Sequence, residues 1–434
     1  MNIYKKKVAF HTLGCKLNFA ETSSISRSFP EDKFDKVPAN SEADIYVINT
    51  CSVTDAADRK CRQAIKKFIT KSPGAFVAVV GCYAQLKPQE ISSIPGVDLV
   101  LGTNEKFDIT DYITDSEKRP EVEIHSCDIS SSDSFNSSFS MGDRTRSFLK
   151  VQDGCDYGCS YCTIPIARGS NRNPEISSII SAAEKIAERG IKEIVLTGVN
   201  IGAFGKSTGD SFADLIRNLL YVKGIDRYRI SSIEPNLLTD ELIELVVMND
   251  KLLPHFHIPL QSGSNKILGL MRRRYTREVF ADRVKMIRGK MPYASIGADV
   301  IVGFPGESLS DFDDTYYFLE GSPLSYLHVF TFSERPGTTA EKMSDKVPHI
   351  EKERRSKQLI ALSEKKALEF ARINIGQISD VLFEGDHNEG SISGFTSNYI
   401  RVEYPWEPRL SGQIRNVKLT GVTPGGNMNV EINS

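Results

Sequence analysis

Short, nearly all-apolar runs alternate with amphipathic stretches through the first hundred residues. Val8–Leu13, Ala43–Asn49, Phe76–Val80 and Val97–Leu101 have the length and β-branched content of strands, and Phe76–Val80 is apolar at almost every position, as a parallel strand buried on both faces must be. Between them, Phe19–Phe29, Asp55–Thr70 and Pro88–Ile94 carry helical spacing. The alternation predicts a doubly wound α/β sheet over residues 1–113. A second series begins at Ser147. Its strand candidates are Phe148–Gln152, Glu193–Thr197, Tyr228–Ser232, Phe256–Leu260, Ile296–Val302 and Tyr326–Phe332, with helices such as Ile176–Arg189 and Arg277–Arg288 between them. Six repeats predict a partial (β/α) barrel over 147–372, too few for the closed eight-stranded form. After a charged helix (Ile350–Ile373) the pattern changes to short alternating segments, Asp380–Phe383, Tyr399–Tyr404 and Asn416–Leu419, divided by Gly, Asn and Pro. Residues 373–434 thus read as a small β-barrel of the oligonucleotide-binding type, in which Phe395, Tyr399, Tyr404 and Trp406 either stack on bases or fill the core.

Residues 114–146 break the periodicity. Eight of the fifteen residues from Ser126 to Ser140 are serine, a composition that buries too little apolar surface to order itself, so the segment reads as a linker. The rest of the composition is that of a globular chain: 434 residues, 40% hydrophobic, 25% charged, net charge −2. No apolar run approaches the ~20 residues that span a bilayer, and the apolar stretch after the basic N-terminus is too short for a signal peptide, so a cytoplasmic protein with reduced cysteines is expected. The charge is uneven. Residues 1–90 carry 14 Lys/Arg against 9 Asp/Glu, and 373–434 carry 4 against 7. Arg272-Arg273-Arg274 and the cluster Arg59-Lys60-Cys61-Arg62 each read first as a solvated helix face, although several such clusters on one chain also suit a polyanionic substrate.

Cysteine spacing adds chemistry. Cys155, Cys159 and Cys162 form a C-x3-C-x2-C run. Three thiolates can hold a four-iron cluster by three corners and leave the fourth iron open, and an open metal position marks catalysis over structure. A structural zinc site would need a fourth ligand, and no second C-x2-C pair follows. A second triplet arises from topology: Cys15, Cys51 and Cys82 each follow a strand, 36 and 31 residues apart. One βαβ unit separates each from the next, so all three thiols emerge at the carboxyl edge of one sheet, where open α/β sheets bind ligands. Small buried residues at strand ends are the alternative account. Cys61, mid-helix, and Cys127, in the serine-rich segment, are expected to be ordinary free thiols, with a fourth-ligand role for Cys61 the other option.

The loops after the barrel strands carry Thr197-Gly198-Val199-Asn200, Ser231-Ser232-Ile233-Glu234-Pro235, Gln261-Ser262-Gly263-Ser264, Gly303-Phe304-Pro305-Gly306-Glu307 and Ser333-Glu334-Arg335-Pro336-Gly337. This content suits a small polar ligand approached by backbone, with no P-loop or complete dinucleotide fingerprint present. His257 is expected to point inward as a satisfied core histidine.

These residues resemble the radical S-adenosylmethionine methylthiotransferases over nearly the full chain. The resemblance rests on Thr12-Leu13-Gly14-Cys15-Lys16-Leu17-Asn18, Asn49-Thr50-Cys51-Ser52-Val53-Thr54, Gly81-Cys82-Tyr83-Ala84-Gln85, Gln152-Asp153-Gly154-Cys155 through Cys162, Leu196-Thr197-Gly198-Val199-Asn200-Ile201-Gly202, His255 through Ser264, and Met271-Arg272-Arg273-Arg274-Tyr275. The Gly-Cys-Lys-Leu-Asn and Cys-Ser-Val-Thr surroundings are most similar to the branch acting on N6-threonylcarbamoyladenosine in tRNA; isopentenyladenosine in tRNA and a ribosomal-protein aspartate are the alternatives. The resemblance implies a methylthiotransferase N-terminal domain, a radical core and a C-terminal TRAM domain. It further implies a [4Fe–4S] cluster on Cys155, Cys159 and Cys162 that cleaves S-adenosylmethionine to a 5′-deoxyadenosyl radical. A second [4Fe–4S] cluster, on Cys15, Cys51 and Cys82, would present sulfur methylated by another S-adenosylmethionine. Such chemistry belongs to a cofactor, because no general base usefully deprotonates an adenine C2–H. Expected cofactor contacts are Tyr161, Thr197, Gly198, Asn200, Ser232, Glu234, Gln261, Ser262 and Val302. Expected partners are the anticodon stem-loop of tRNA, a low-potential electron donor such as a flavodoxin or ferredoxin, and a sulfur donor, with no membrane. The two sites must approach each other, so the flexible linker is expected to let the sheet edge face the barrel mouth. An iron–sulfur RNA-binding or electron-transfer protein is the non-catalytic reading, and it leaves the polar barrel loops without a purpose.

Overall fold

A computed structural model describes residues 5–113, 117–129, 134–142, 144–388 and 390–433, without the side chains of 386–388. Six parallel strands form the N-terminal sheet: β1 (Lys6–Thr12), β2 (Phe34–Val37), β3 (Ile45–Thr50), β4 (Phe76–Gly81), β5 (Leu99–Leu101) and β6 (Glu123–His125), in the order β2-β1-β3-β4-β5-β6. Every residue of β3 and β4 is buried, because helices cover both faces. On one side α1 (Lys16–Ser28) packs Ile25 and Phe29 against Val8, Ile45 and Val47. On the other, α2 (Asp55–Lys71), α3 (Cys82–Leu86) and α4 (Pro88–Ser92) pack Ile65, Phe68, Tyr83 and Ile91 against Tyr46 and Ile48. A short helix, α5 (Ile109–Tyr112), follows β5. This doubly wound order reverses direction between β1 and β3, which opens a crevice at the carboxyl ends of those strands.

The serine-rich segment departs from the linker expectation. Glu123–His125 is the sixth strand, paired with β5, and Ser138 and Ser140 are buried. The Ser147 hydroxyl donates to the Ser140 carbonyl (2.6 Å), and the Phe148 and Lys150 amides donate to the Ser140 hydroxyl and the Ser138 carbonyl (2.8 and 2.9 Å). A strand that joins an existing edge is held by backbone hydrogen bonds, and a hydroxyl that finds a backbone partner can be buried, so composition alone misjudged this stretch.

The second body comprises two three-stranded parallel sheets, β7 (Ser147–Lys150), β8 (Glu193–Thr197), β9 (Arg227–Ile230) and β10 (His255–His257), β11 (Ser295–Val302), β12 (Tyr326–Thr331). A bridge between Tyr228 and Leu252 joins the halves into one curved wall. Between these strands run α6 (Ile164–Arg168), α7 (Ile176–Ala187), α8 (Phe212–Leu219), α9 (Asp240–Met248), α10 (Asn265–Leu270) and α11 (Arg277–Lys290), then α12 (Leu309–Gly321) and, after β12, α13 (His349–Ile373). Leu196, Phe256, Ile296 and Val300 pack outward against Ile179, Leu215, Phe280 and Phe312 of the helices, so the alternate residues of each strand face the lumen. No helix among the described residues is long and apolar enough to cross a membrane.

The C-terminal barrel is closed, β13 (Ile378–Asn388), β14 (Ser391–Thr396), β15 (Arg401–Pro405), β16 (Ile414–Val422) and β17 (Met428–Ile432), in the order β13-β14-β15-β17-β16. Its four aromatic candidates are not a free stacking platform. Tyr404 and Trp406 pack on its own core. Tyr399 stacks between Phe395 (4.8 Å) and His255 of β10 (4.3 Å), and the Arg227 and Arg229 guanidinium groups donate to the Asp380, Phe395, Thr396 and Ser397 carbonyls. The small barrel therefore closes the amino-terminal end of the lumen.

Candidate active site

Cys15, Cys51 and Cys82 all leave the carboxyl edge of the N-terminal sheet, as their spacing predicts. Cys15 caps α1, Cys51 follows β3, and Cys82 opens α3. Gly14, at φ +104°, lets the first loop lie on the second, since a Cβ there would come within 2.5 Å of the Cys51 Cβ. Asn18 stitches the two loops by donating to the Leu13 and Thr50 carbonyls (2.8 and 3.1 Å). Cys51 is buried, whereas Cys15 is accessible from the interdomain space. Burial, with Cys82 and Cys15 alongside, pushes the Cys51 thiol up to about 12. A set of crowded thiols in which such a member stays protonated at neutral pH suits a metal centre, because binding of a cation is what deprotonates a thiol of this kind. Cys61 is a free thiol, as expected, and a buried one: it donates to the Cys51 carbonyl (3.4 Å), which steadies that loop and occupies its own S–H. Cys127 is exposed and accepts from Asn104 Nδ2 (3.5 Å).

Cys155, Cys159 and Cys162 lie on the loop between β7 and α6, all half-buried. Gly154 is required at its φ of +68°, where a Cβ would strike the Ser170 carbonyl at 1.9 Å. Donors converge on the sulfurs: the Tyr157 amide and Asn200 Nδ2 on Cys155 (3.4 and 3.9 Å), Arg273 Nη1 on Cys159 (3.1 Å) and the Ile164 amide on Cys162 (3.5 Å). These donors suit thiolates. Burial otherwise keeps all three protonated, Cys162 pushed up to about 12. The buried Asn200 side-chain oxygen has no partner among the described residues, a polar atom left for a ligand at the mouth. The donor sets therefore fit three-cornered iron–sulfur clusters.

The expected cofactor contacts divide. Gln152 Nε2 holds the Asp153 and Gly154 carbonyls while its Oε1 accepts from the Val199 and Asn200 amides (2.9 and 2.8 Å), so the Thr197-Gly198-Asn200 turn sits on the cysteine loop. Glu234 pairs with Arg273, and Ser232 is exposed. Tyr161 and Gln261 line a cavity of about 240 Å³ at the mouth. Ser262 and Val302 do not reach it. Ser262 is buried against the Thr315 hydroxyl (3.2 Å), and Val302, 1% exposed, packs in the wall–helix core, where strand alternation turns it away from the lumen. Arg272-Arg273-Arg274, read from sequence as a solvated helix face, is instead a turn after α10 docked on the cysteine loop, with Arg273 on Cys159 and Arg274 over the Tyr157 ring at 4.2 Å.

Sequence reasoning missed what joins the two triplets. Glu21 of α1 accepts from Lys106 (2.6 Å), from Lys150 at the end of β7 (3.1 Å) and from Arg168 of α6 (3.0 Å), all buried, while Arg168 and Lys150 also reach Asp153. On the other flank Arg335 donates to the Ser52 carbonyl, the Ser52 hydroxyl and Asp58 (3.0, 2.7 and 3.0 Å). The sheet edge thus faces the barrel mouth as expected, and buried ion pairs fasten it there. Spacing cannot show this, because the partners lie 129, 147 and 283 residues apart.

Residues 7–102 match the family described as "Uncharacterized protein family UPF0004", and residues 149–319 match the radical SAM superfamily. The chain is 41% identical to the threonylcarbamoyladenosine tRNA methylthiotransferase MtaB of Bacillus subtilis, over 95% of this chain and 93% of that one. It is 32% identical to a tRNA-2-methylthio-N(6)-dimethylallyladenosine synthase of Syntrophotalea carbinolica, over 96% and 97%. Among solved structures, the radical S-adenosylmethionine methyltransferase TsrM of Kitasatospora setae superposes with a TM-score of 0.55, covering 78% of this chain and 77% of that one at 13% identity, a likeness of fold alone. Identity of this order along nearly the whole length of both chains leaves one conclusion: the chain belongs to the radical S-adenosylmethionine methylthiotransferases.

Proposed function

We propose that this enzyme inserts a methylthio group at C2 of N6-threonylcarbamoyladenosine beside the anticodon of tRNA. One observation carries the reading. The mouth cavity is bounded on one side by Val53 and Thr54, from the Cys51 loop, and on the other by Tyr161, from the Cys155–Cys162 loop. The cavity thus lies between the loops that carry the two triplets. At 240 Å³ the cavity is smaller than the ~300–1,000 Å³ of drug-sized sites, the scale of a single planar base. The similarity to a threonylcarbamoyladenosine enzyme, at 41% against 32% for a dimethylallyladenosine one, favours the first nucleoside.

In this reading residues 1–113, 147–372 and 373–434 are the methylthiotransferase, radical and TRAM domains, and the six thiolates of Cys15, Cys51, Cys82, Cys155, Cys159 and Cys162 hold two [4Fe–4S] clusters. When bound, these clusters and S-adenosylmethionine supply the hydrogen-abstracting radical and the methylated sulfur. The protein's own part is positional. Arg273 delivers positive charge to the Cys159 sulfur, Asn200 and two backbone amides steady the other thiolates of that loop, and the two ion-pair anchors hold the triplets at a fixed separation around the base. A low-potential flavodoxin- or ferredoxin-like donor and a separate sulfur donor complete the cycle.

Mass spectrometry of nucleosides from cells with and without the gene tests the reading. Loss of 2-methylthio-N6-threonylcarbamoyladenosine with accumulation of its unthiolated precursor is expected; an unchanged profile in cells that normally carry that nucleoside would move the substrate to isopentenyladenosine or a ribosomal-protein aspartate. Within the site, Arg273→Ala is expected to lower the rate of 5′-deoxyadenosine formation about tenfold to a hundredfold, the usual effect of removing a group that hydrogen-bonds to a metal ligand. Reduced protein under anaerobic conditions provides the assay.

A further inference from the structure

A groove of about 880 Å³ lies away from both thiol triplets, at the seam where the N-terminal sheet, the partial barrel and the small barrel meet. Arg27 in the last turn of α1, Arg144 and Arg146 just before β7, and Arg189 and Lys192 just before β8 line it. Glu384 of β13 is the one carboxylate among the described residues of its wall. Such an excess of cations stands out on a chain whose net charge is −2. It is assembled from three separate stretches of sequence, so no basic run announces it.

The arginines of the groove are held flat. Arg27 lies over the Phe139 ring (4.4 Å), Arg144 over Phe19 (4.2 Å) and Arg146 over Phe395 (4.7 Å). A guanidinium stacked by its face keeps its N–H fork at the edge, with less rotamer freedom left to lose on binding. Arg146 is turned inward, 15% exposed, where Glu384 accepts from it (2.9 Å). Arg144 and Arg189 are exposed, and neither meets a carboxylate among the described residues. Lys192 has the exposed Asp226 at 3.4 Å, a surface pair of little strength. Fixed, forked donors of this kind match the oxygens of phosphate groups. The groove also stands at a definite distance from the chemistry. Cys15 caps α1 and Arg27 is in its last turn, which sets them roughly 18 Å apart at ~1.5 Å per residue. A nucleic-acid stem of about six base pairs, at ~3 Å each, spans that distance.

We propose that this groove holds the phosphate backbone of the substrate RNA outside the modified loop, with Arg144 and Arg189 as its open contacts. This rests on the tRNA reading given above and adds to it a docking surface remote from the thiols. An acidic electron-donor protein fits the groove less well. The groove opens at the amino-terminal ends of β7 and β8, whereas the Cys155–Cys162 loop follows the carboxyl end of β7, so the barrel wall would stand between donor and thiolates.

The test measures binding of full-length tRNA to the cluster-loaded enzyme as salt is raised from about 50 to 200 mM. Arg189→Ala is expected to weaken binding about tenfold at the low-salt end and to reduce the slope of log affinity against log salt by about one. Arg144→Ala combined with Arg189→Ala should reduce that slope by about two. The single variant keeps the test decisive if freeing Phe19 from Arg144 loosens the seam. Both variants should form 5′-deoxyadenosine at the wild-type rate without RNA. Phosphate contacts carry no base information, so tRNA with and without the N6 group should lose affinity alike, and an oligonucleotide of the loop alone should lose none. An unchanged slope in the folded variants, or an equal loss for the loop oligonucleotide, overturns the groove assignment and leaves the substrate reading standing. Unchanged tRNA binding with slower reduction by a flavodoxin would give the groove to the electron donor instead. Failure of the wild type to bind tRNA at all overturns the proposed function and this assignment with it.

Discussion

Cys159→Ala abolishes 5′-deoxyadenosine formation, while Cys51→Ala leaves that cleavage largely intact and stops methylthio insertion. This is the expected division, and it follows from where the two thiols stand. Cys159 sits on the β7–α6 loop beside Arg273, with Cys155 and Cys162 on the same short turn, so under the proposed function its loss removes one of three local ligands, and no other thiol of that loop can replace it. Cys51 belongs to a different sheet. Its backbone carbonyl accepts from Cys61, and the neighbouring Ser52 docks on Arg335 through groups that the substitution leaves in place. The barrel and its cysteine loop should therefore survive the change. Quantifying 5′-deoxyadenosine and methylthiolated nucleoside in the same anaerobic reaction separates the two roles. Equal loss of cleavage in both variants, with folding retained, would show that the triplets do not divide the chemistry in this way.

Removing the Glu21 carboxylate is expected to have the largest effect on stability. Three buried cations, Lys106, Lys150 and Arg168, share it, and Glu21→Ala leaves Lys150 and Arg168 with Asp153 alone and Lys106 with no ion-pair partner among the described residues. Breaking a buried pair by deleting one partner costs about 3–5 kcal/mol, because the orphaned charge stays desolvated. Urea unfolding of the variant should show the loss directly, with the interface between the sheet and the barrel opening first. The same network sets an acid limit. Burial alone would raise the Glu21 pKa, but Arg168, Lys106 and Lys150 override it and hold the carboxyl well below the usual range; Lys150 and Arg168 do the same for Asp153. A carboxyl held low when folded stabilises the protein fully above its unfolded value of about 4, and the benefit is lost as pH falls through the folded value. Stability should thus fall steeply below pH of about 4, and Glu21→Gln should flatten that dependence.

Much of the site could be read from one dimension. The Cys155–Cys162 run is local, so its spacing alone announces a three-thiol loop. The other triplet could be placed because strand, helix and strand recur at βαβ length, and a cysteine after each of three parallel strands must emerge at one sheet edge. The C-terminal barrel could be anticipated from its short alternating segments, and the partial barrel from six apolar runs. These features depend on periodicity and on chain connectivity, which a sequence displays directly.

What tertiary structure decided was everything between elements distant in the chain. Arg273 belongs to a basic triplet that looks like a wet surface until the turn after α10 lays it on Cys159. The serine-rich stretch looks unstructured until an existing strand edge offers it partners. Tyr399 looks like a base-stacking aromatic until His255 takes its face. Ser262 lies in a promising loop yet packs on Thr315 of α12, and Val302 ends a strand whose two-residue repeat sends it into the core. Glu21 and Arg168 carry no signal at all in sequence. A lone carboxylate in an amphipathic helix is ordinarily solvated, and only the meeting of two bodies removes its water and makes the ion pairs that hold the two triplets face to face.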